Sequence, residues 1–156
     1  MALTKVNLIH KNICDALEAL TVEAEVLEDF HLYREIPLTD DLIFPNLCVI
    51  RKPLGTVRNL MNMSKVDAVT IIIMLGFREK DLSLVVNDER LETEGLLNHY
   101  QAVLEDFYEH LSEVLDPSIK VREKSFTVNP NYPTEEGNDR YVLEFTINIQ
   151  YMESRR

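Results

Sequence analysis

Arg140–Met152 reads RYVLEFTINIQYM, and its reading decides the fold. Leu143, Phe145, Ile147, Ile149 and Tyr151 fall on every second residue, with Glu144, Thr146, Asn148 and Gln150 between them. A period of two gives a strand with one apolar and one wet face. Such a strand belongs to an antiparallel sheet covered on one side. The rest of the chain is then what pairs with this strand or what covers it.

The same pattern recurs upstream. In Val66–Phe77, Val69, Ile71, Ile73, Leu75 and Phe77 share one face. Thr70, Ile72, Met74 and Gly76 form the other, which is too apolar for a solvent face and is expected to meet another element or another subunit. Ile119–Val128 changes phase between Ile119/Val121 and Phe126/Val128, which predicts a β-bulge or a change of partner. NPNYPTEEGND, Asn129 to Asp139, is the hairpin connection into the last strand. Asn46–Arg51 predicts a short strand ended by Pro53 and Gly55. Residues 51–65 then form a long arm loop, and a loop of that length in a small domain is more often functional than idle.

Two stretches have helical periodicity. Val6, Ile9, Ile13, Ala16, Leu17 and Leu20 recur at three and four residues, with Thr4 as the expected cap. Leu96, Tyr100, Val103, Leu104, Phe107, Leu111 and Val114 make one stripe of a helix over Thr93–Leu115, stopped by Pro117. Val22–Leu32 fits either strand or helix. Arg78–Glu92 reads as a polar connection. The expected fold is a single α+β domain over residues 1–156, with an antiparallel sheet of four to five strands, two helices on one face and a long hairpin arm. Strands of a dozen residues reach about 40 Å, roughly twice the usual length. Their ends should project and pair with a neighbour, so an oligomer is expected.

The formal net charge of −11 over 156 residues argues against general nucleic-acid binding, which needs a cationic surface. The charge is uneven. Residues 51–80 hold six basic and two acidic groups, whereas residues 81–116 hold one basic and ten acidic. Unlike segments of this kind can steer copies of one chain head to tail. The opening residues, with Lys5, His10, Lys11 and Asp15 dispersed, do not read as a signal peptide, and no apolar run is long enough to span a bilayer. Cys14 and Cys48 lie among apolar neighbours and read as buried free thiols in a reducing compartment.

No chemistry-bearing motif can be assembled. His10, His31, His99 and His110 form no HxxxH pair and read as solvated or rim side chains, and the cysteines form no CxxC. The four glycines allow neither GxGxxG nor GxxxxGK. Asp81, Asp88, Glu89, Glu92 and Glu94 lack the order of a calcium loop. Neither catalytic residue nor cofactor nor metal site is expected. Arg51, Lys52, Arg58 and Lys65, with Met61 and Met63, are better suited to protein contact than to phosphate, since methionine adapts to irregular surfaces.

The opening helix Val6–Leu20, the segment FPNLCVIRKP (Phe44–Pro53) with its arm, KVDAVTIIIMLGF, the acidic helix Leu96–Leu115 and the closing RYVLEFTINIQY together resemble the tail terminator (tail completion) proteins of long-tailed bacteriophages. The likeness spans nearly the whole chain and is one of element order, without a signature motif. It implies a non-enzymatic virion protein of the tail or neck, assembled in the host cytoplasm. Such proteins form a hexameric ring on the tail tube, end its polymerisation and join it to the head through a head-completion or connector protein. DNA would pass through without sequence-specific binding, and no membrane is involved. The resemblance assigns Arg51, Lys52, Arg58, Met61, Met63 and Lys65 to subunit or tube contacts. It gives the lumen either to the acidic helix face or to the acidic segment Asp81–Glu94, with Asp88, Glu89, Glu92 and Glu94 as candidates. The alternatives are another neck or tail-tube ring, or a small α+β ligand-binding domain or enzyme.

Overall fold

A computed structural model describes residues 4–23, 27, 30–35, 43, 45–60, 64–78, 96–131 and 140–154. Its elements run α1 (Lys5–Glu23), β1 (His31–Tyr33), β2 (Asn46–Asn59), β3 (Ser64–Arg78), α2 (Leu96–Glu109), α3 (Leu111–Val114), β4 (Val121–Asn131) and β5 (Arg140–Ser154). The strands form one five-stranded sheet in the order β1-β2-β3-β5-β4. The fold is α+β.

The alternation in the sequence becomes the division between core and open face. Val69, Ile71, Ile73 and Leu75 of β3 and Phe145, Ile147 and Ile149 of β5 are all fully buried. They join Leu47 and Val49 of β2 in one cluster with Ile9, Ile13 and Leu17 of α1 and Leu104 and Phe107 of α2. Both helices therefore cover the same sheet face. Each such aliphatic side chain contributes about 1.5–3 kcal/mol by leaving water. Phe145 stacks on Phe126 with centroids 5.0 Å apart, and Phe126 meets Tyr108 of α2 at 4.8 Å. The other face carries Thr70, whose hydroxyl donates to Asn148 Oδ1 at 2.9 Å. Cys48, Val66 and Ala68 lie on that face too, buried but outside the main cluster.

Helix α1 starts as its sequence implies. The Asn7 N–H bonds to Thr4 Oγ1 at 3.3 Å, the capping bond of a threonine N-cap. The helix is closed onto the sheet by Lys5, which reaches the Met152 carbonyl at 3.1 Å and Glu153 at 3.3 Å. At its far end Arg34 bridges Asp15 and Glu18 at 2.7 and 2.6 Å. Hydrogen bonds from Lys11 and Arg34 hold the Asp15 carboxyl below the usual carboxylate range. These groups are exposed, so the bridge contributes little to stability.

Four expectations need correction. Residues 51–59 do not begin an arm loop: β2 continues through them as a strand and pairs with β3 as far as Asn59↔Lys65. Pro53 and Gly55 do not end it, because the register slips there and again between Thr56 and Arg58. A proline without an N–H is tolerated because β1 covers only Asn46–Cys48, leaving the rest of β2 at an edge. The sheet is mixed rather than antiparallel, since β1 runs parallel to β2; the twelve residues 34–45 between them are long enough for the crossover such a pair needs. The acidic helix is not continuous to Leu115, because His110 breaks it at φ −102°, ψ 20°. The His110 ring nitrogen Nδ1 donates to the Asp106 carbonyl at 2.9 Å, and the backbone N–H divides between the Asp106 and Phe107 carbonyls, both at 3.2 Å. Competition for that carbonyl tightens the turn.

The phase change near Ile119 has its physical counterpart in a register shift between Val121 and Glu123. The ambiguous Val22–Leu32 stretch is split: α1 runs to Glu23, and β1 begins at His31.

Truncating the fully buried ring stacked on Phe126, Phe145→Ala, is expected to lower stability by about 3–5 kcal/mol, read as a lower urea midpoint at unchanged slope. Tyr151 supplies a pH test. Burial, aided by Asp67 and Glu153, pushes its hydroxyl up from 10.0 to about 12. The folded state then holds a proton that the unfolded chain releases first. The stability this contributes is whole below pH 10 and is lost as pH rises towards about 12. The urea midpoint should fall more steeply between pH 9 and 11 in the native protein than in Tyr151→Phe, and equal slopes would refute the assignment.

Candidate oligomer interface

The outer half of β2, Lys52 to Asn59, is exposed along its whole length. Its residues alternate across both sheet faces, so neither face is covered by the described chain. Leu54 and Val57 are 56% and 53% exposed, high for aliphatic residues held in a paired strand. Gly55 sits at φ +79°, the conformation that lets the first slip form. The Thr56 hydroxyl donates to Asp67 Oδ1 at 2.9 Å, which fixes this end of the strand to β3. The Leu60 N–H bonds to the Ser64 carbonyl at 2.8 Å, closing the hairpin. On the helix-free side, Val57, Arg58, Val66, Arg122, Glu123 and Gln150 line an open groove of about 170 Å³.

The cations assigned to this surface divide into two groups. Arg51 faces inward and is half-buried, with Nη2 3.2 Å from Glu35 and Nη1 3.2 Å from His10 Nδ1. Lys65 is half-buried and pairs with Asp67 at 3.6 Å. Lys52 and Arg58 remain exposed, and among the described residues neither makes an ion pair. Met61 and Met63 lie outside the described residues, as do Asp88, Glu89, Glu92 and Glu94.

His10 was not legible as an anchor. It is 6% exposed, against the expectation of a rim histidine. Its Nε2 lies 3.0 Å from the Val49 carbonyl and therefore carries the proton. Its Nδ1 is then free to accept from Arg51. The neutral ring ties α1 to β2 with both nitrogens used. The available signal was its place on the apolar side of α1, one turn before Cys14. Cys14 Sγ lies 3.5 Å from the same Nε2, a pairing that in an enzyme would suggest a nucleophile and base. The chemistry is opposite here. Burial pushes the Cys14 thiol up to about 11, whereas a nucleophilic cysteine needs a lowered value. Cys48 is likewise raised by burial. Both thiols are buried and unpaired with each other, as their apolar neighbours imply.

The helices beside the opposite flank of the sheet are acidic. Helices α2 and α3 contain Glu105, Asp106, Glu109 and Glu113 and no lysine or arginine. The field is registered by His110, whose imidazole is raised by the Asp106 carbonyl bond first and then by Asp106, Glu113 and Glu109. Lys124 sets one positive charge beside that surface without pairing to any of its carboxylates. Its Nζ donates to the Tyr108 carbonyl at 2.9 Å and sits 4.4 Å from the Tyr108 ring centre. Between α3 and β4 an open cleft of about 300 Å³ is lined by Leu111, Ser112 and residues 121–124, with Val121 exposed.

Among the described residues no cluster of three His, Cys, Asp or Glu side chains can hold a metal ion, and no helix is long and apolar enough to cross a membrane. No protein-family model and no curated protein matches the chain. The inertness of the thiols is directly measurable. At pH 8 neither cysteine should react with a thiol-specific chromophore until denaturant is added, and rapid titration of one equivalent in native protein would contradict their burial.

Proposed function

We propose that the protein is a structural virion component that forms a ring at the head-proximal end of a phage tail tube, ends tube polymerisation and joins the tail to the head. The observation that carries this reading is the outer half of β2. A strand held by hydrogen bonds but exposed on both faces, with two aliphatic side chains in water, is a surface made for another protein. The element order supports the same reading, with one helix before the long hairpin, a second acidic helix after it and a closing hairpin on the same sheet.

The role is structural and not catalytic. Its partners are further copies of itself, most simply as a hexamer, together with the tail-tube protein below and the head-completion or connector protein above. An overall charge of −11 suits a ring through which DNA moves, because an anionic wall does not hold phosphates. No cofactor is required, and the protein acts in the tail or neck of the particle after assembly in the host cytoplasm.

Purified protein added to tail tubes polymerising from the tube subunit of the same particle should halt their growth and leave a ring at one end in electron micrographs. Tubes that lengthen at the same rate, with bare ends, would refute the proposal.

A further inference from the structure

We infer that the exposed outer half of β2 docks by its side chains onto the acidic α2–α3 surface of a second copy, head to tail. This deepens the ring reading and rests on it. Charge is the first argument. The strand has Lys52 and Arg58 in water and no acidic residue, and the helices have Glu109 and Glu113 in water and no lysine or arginine. Among the described residues none of these four makes an ion pair within its own chain.

Topology is the second. β2 lies on one side of β3 and β5, whereas β4 lies on the other, under α2 through the Tyr108–Phe126 contact. Three strand spacings, about 14 Å, separate β2 from β4. That exceeds the screening length at physiological salt, so attraction between charges this far apart across the sheet is largely screened within a copy. Surfaces on opposite flanks generate a heterologous contact, the kind that closes into a ring.

Spacing is the third. Lys52 and Arg58 lie opposite Thr70 and Val66, because the two slips compress six steps of β2 into four of β3. Their separation along the sheet is therefore about 13 Å. Glu109 to Glu113 spans about 6 Å of helix, and the long, flexible stems of Lys52 and Arg58 let their charged heads converge across the difference. Leu54 and Val57, on the same strand, then have the cleft beside Val121 and Leu111 to enter.

Strand addition at this edge is disfavoured. Pro53 offers no N–H, the edge is bent by two slips, and Lys52 guards it. Recognition by side chains is what remains.

The test is a charge exchange read by sedimentation of the full chain, with circular dichroism to verify that each variant folds. Lys52→Glu with Arg58→Glu should raise the concentration for half-assembly by more than about tenfold, as should Glu109→Lys with Glu113→Lys. Equimolar mixing of the two variants should restore assembly, and so should all four substitutions in one chain. Reversals that leave assembly unchanged, a four-fold exchange that stays dissociated, or a native protein that is monomeric at every concentration would each overturn the inference. The measurement uses no tail tube. A ring built on this contact that ignores tube ends would sink the tail reading and leave the interface standing.

Discussion

The ladder between β3 and β5 is the constraint on which the molecule depends. All fifteen residues of each strand pair in one unbroken register, from Ser64↔Ser154 to Arg78↔Arg140. Side chains alternate strictly along such a ladder, so a slip of one residue would turn Ile71, Ile73, Phe145 and Ile147 out of the core together. The neighbours on either side are less strict. β2 slips twice against β3, and β4 slips once against β5. Irregularity is thus kept to the flanks, and the centre of the sheet holds the shape against which α1 and α2 pack.

That ladder was also the most legible part of the sequence. Strict alternation over a long run has few other solutions, and β3, β5, the apolar stripe of α1 and the threonine cap all follow from periodicity and capping chemistry. What escaped is equally physical. Pro53 and Gly55 are ordinarily terminators, yet at an edge strand a missing N–H breaks no ladder bond and a positive-φ glycine serves a bulge. The three residues of β1 are too few to show a period, and their parallel pairing is set by tertiary contact alone. The break at His110 depends on a side chain competing for one carbonyl, which hydrophobic spacing does not encode.

Of the candidate interface, the sequence showed the charge segregation but not its division of labour. Arg51 and Lys52 are adjacent and alike in type, and alternation sends them to opposite faces. Arg51 turns inward to His10 and Glu35, while Lys52 stays in water. Lys65 is similarly held by Asp67. Composition counts these cations together. Strand geometry separates those that hold the fold from those that stay in water. The same holds for His10, whose type suggested a wet rim and whose position on the apolar side of α1 placed it inside, neutral and fully bonded.

The unbroken central register has a mechanical side. In an antiparallel ladder the hydrogen bonds lie across the strands. A load applied lengthwise to β3 against β5 is therefore borne by every rung at once, instead of opening them one after another like a zip. β2, with its two slips, shares a load less evenly and would give way first. The chain is built with a stiff spine and a compliant margin, and deformation would be taken up at the margin while the packing beneath the helices stays in place.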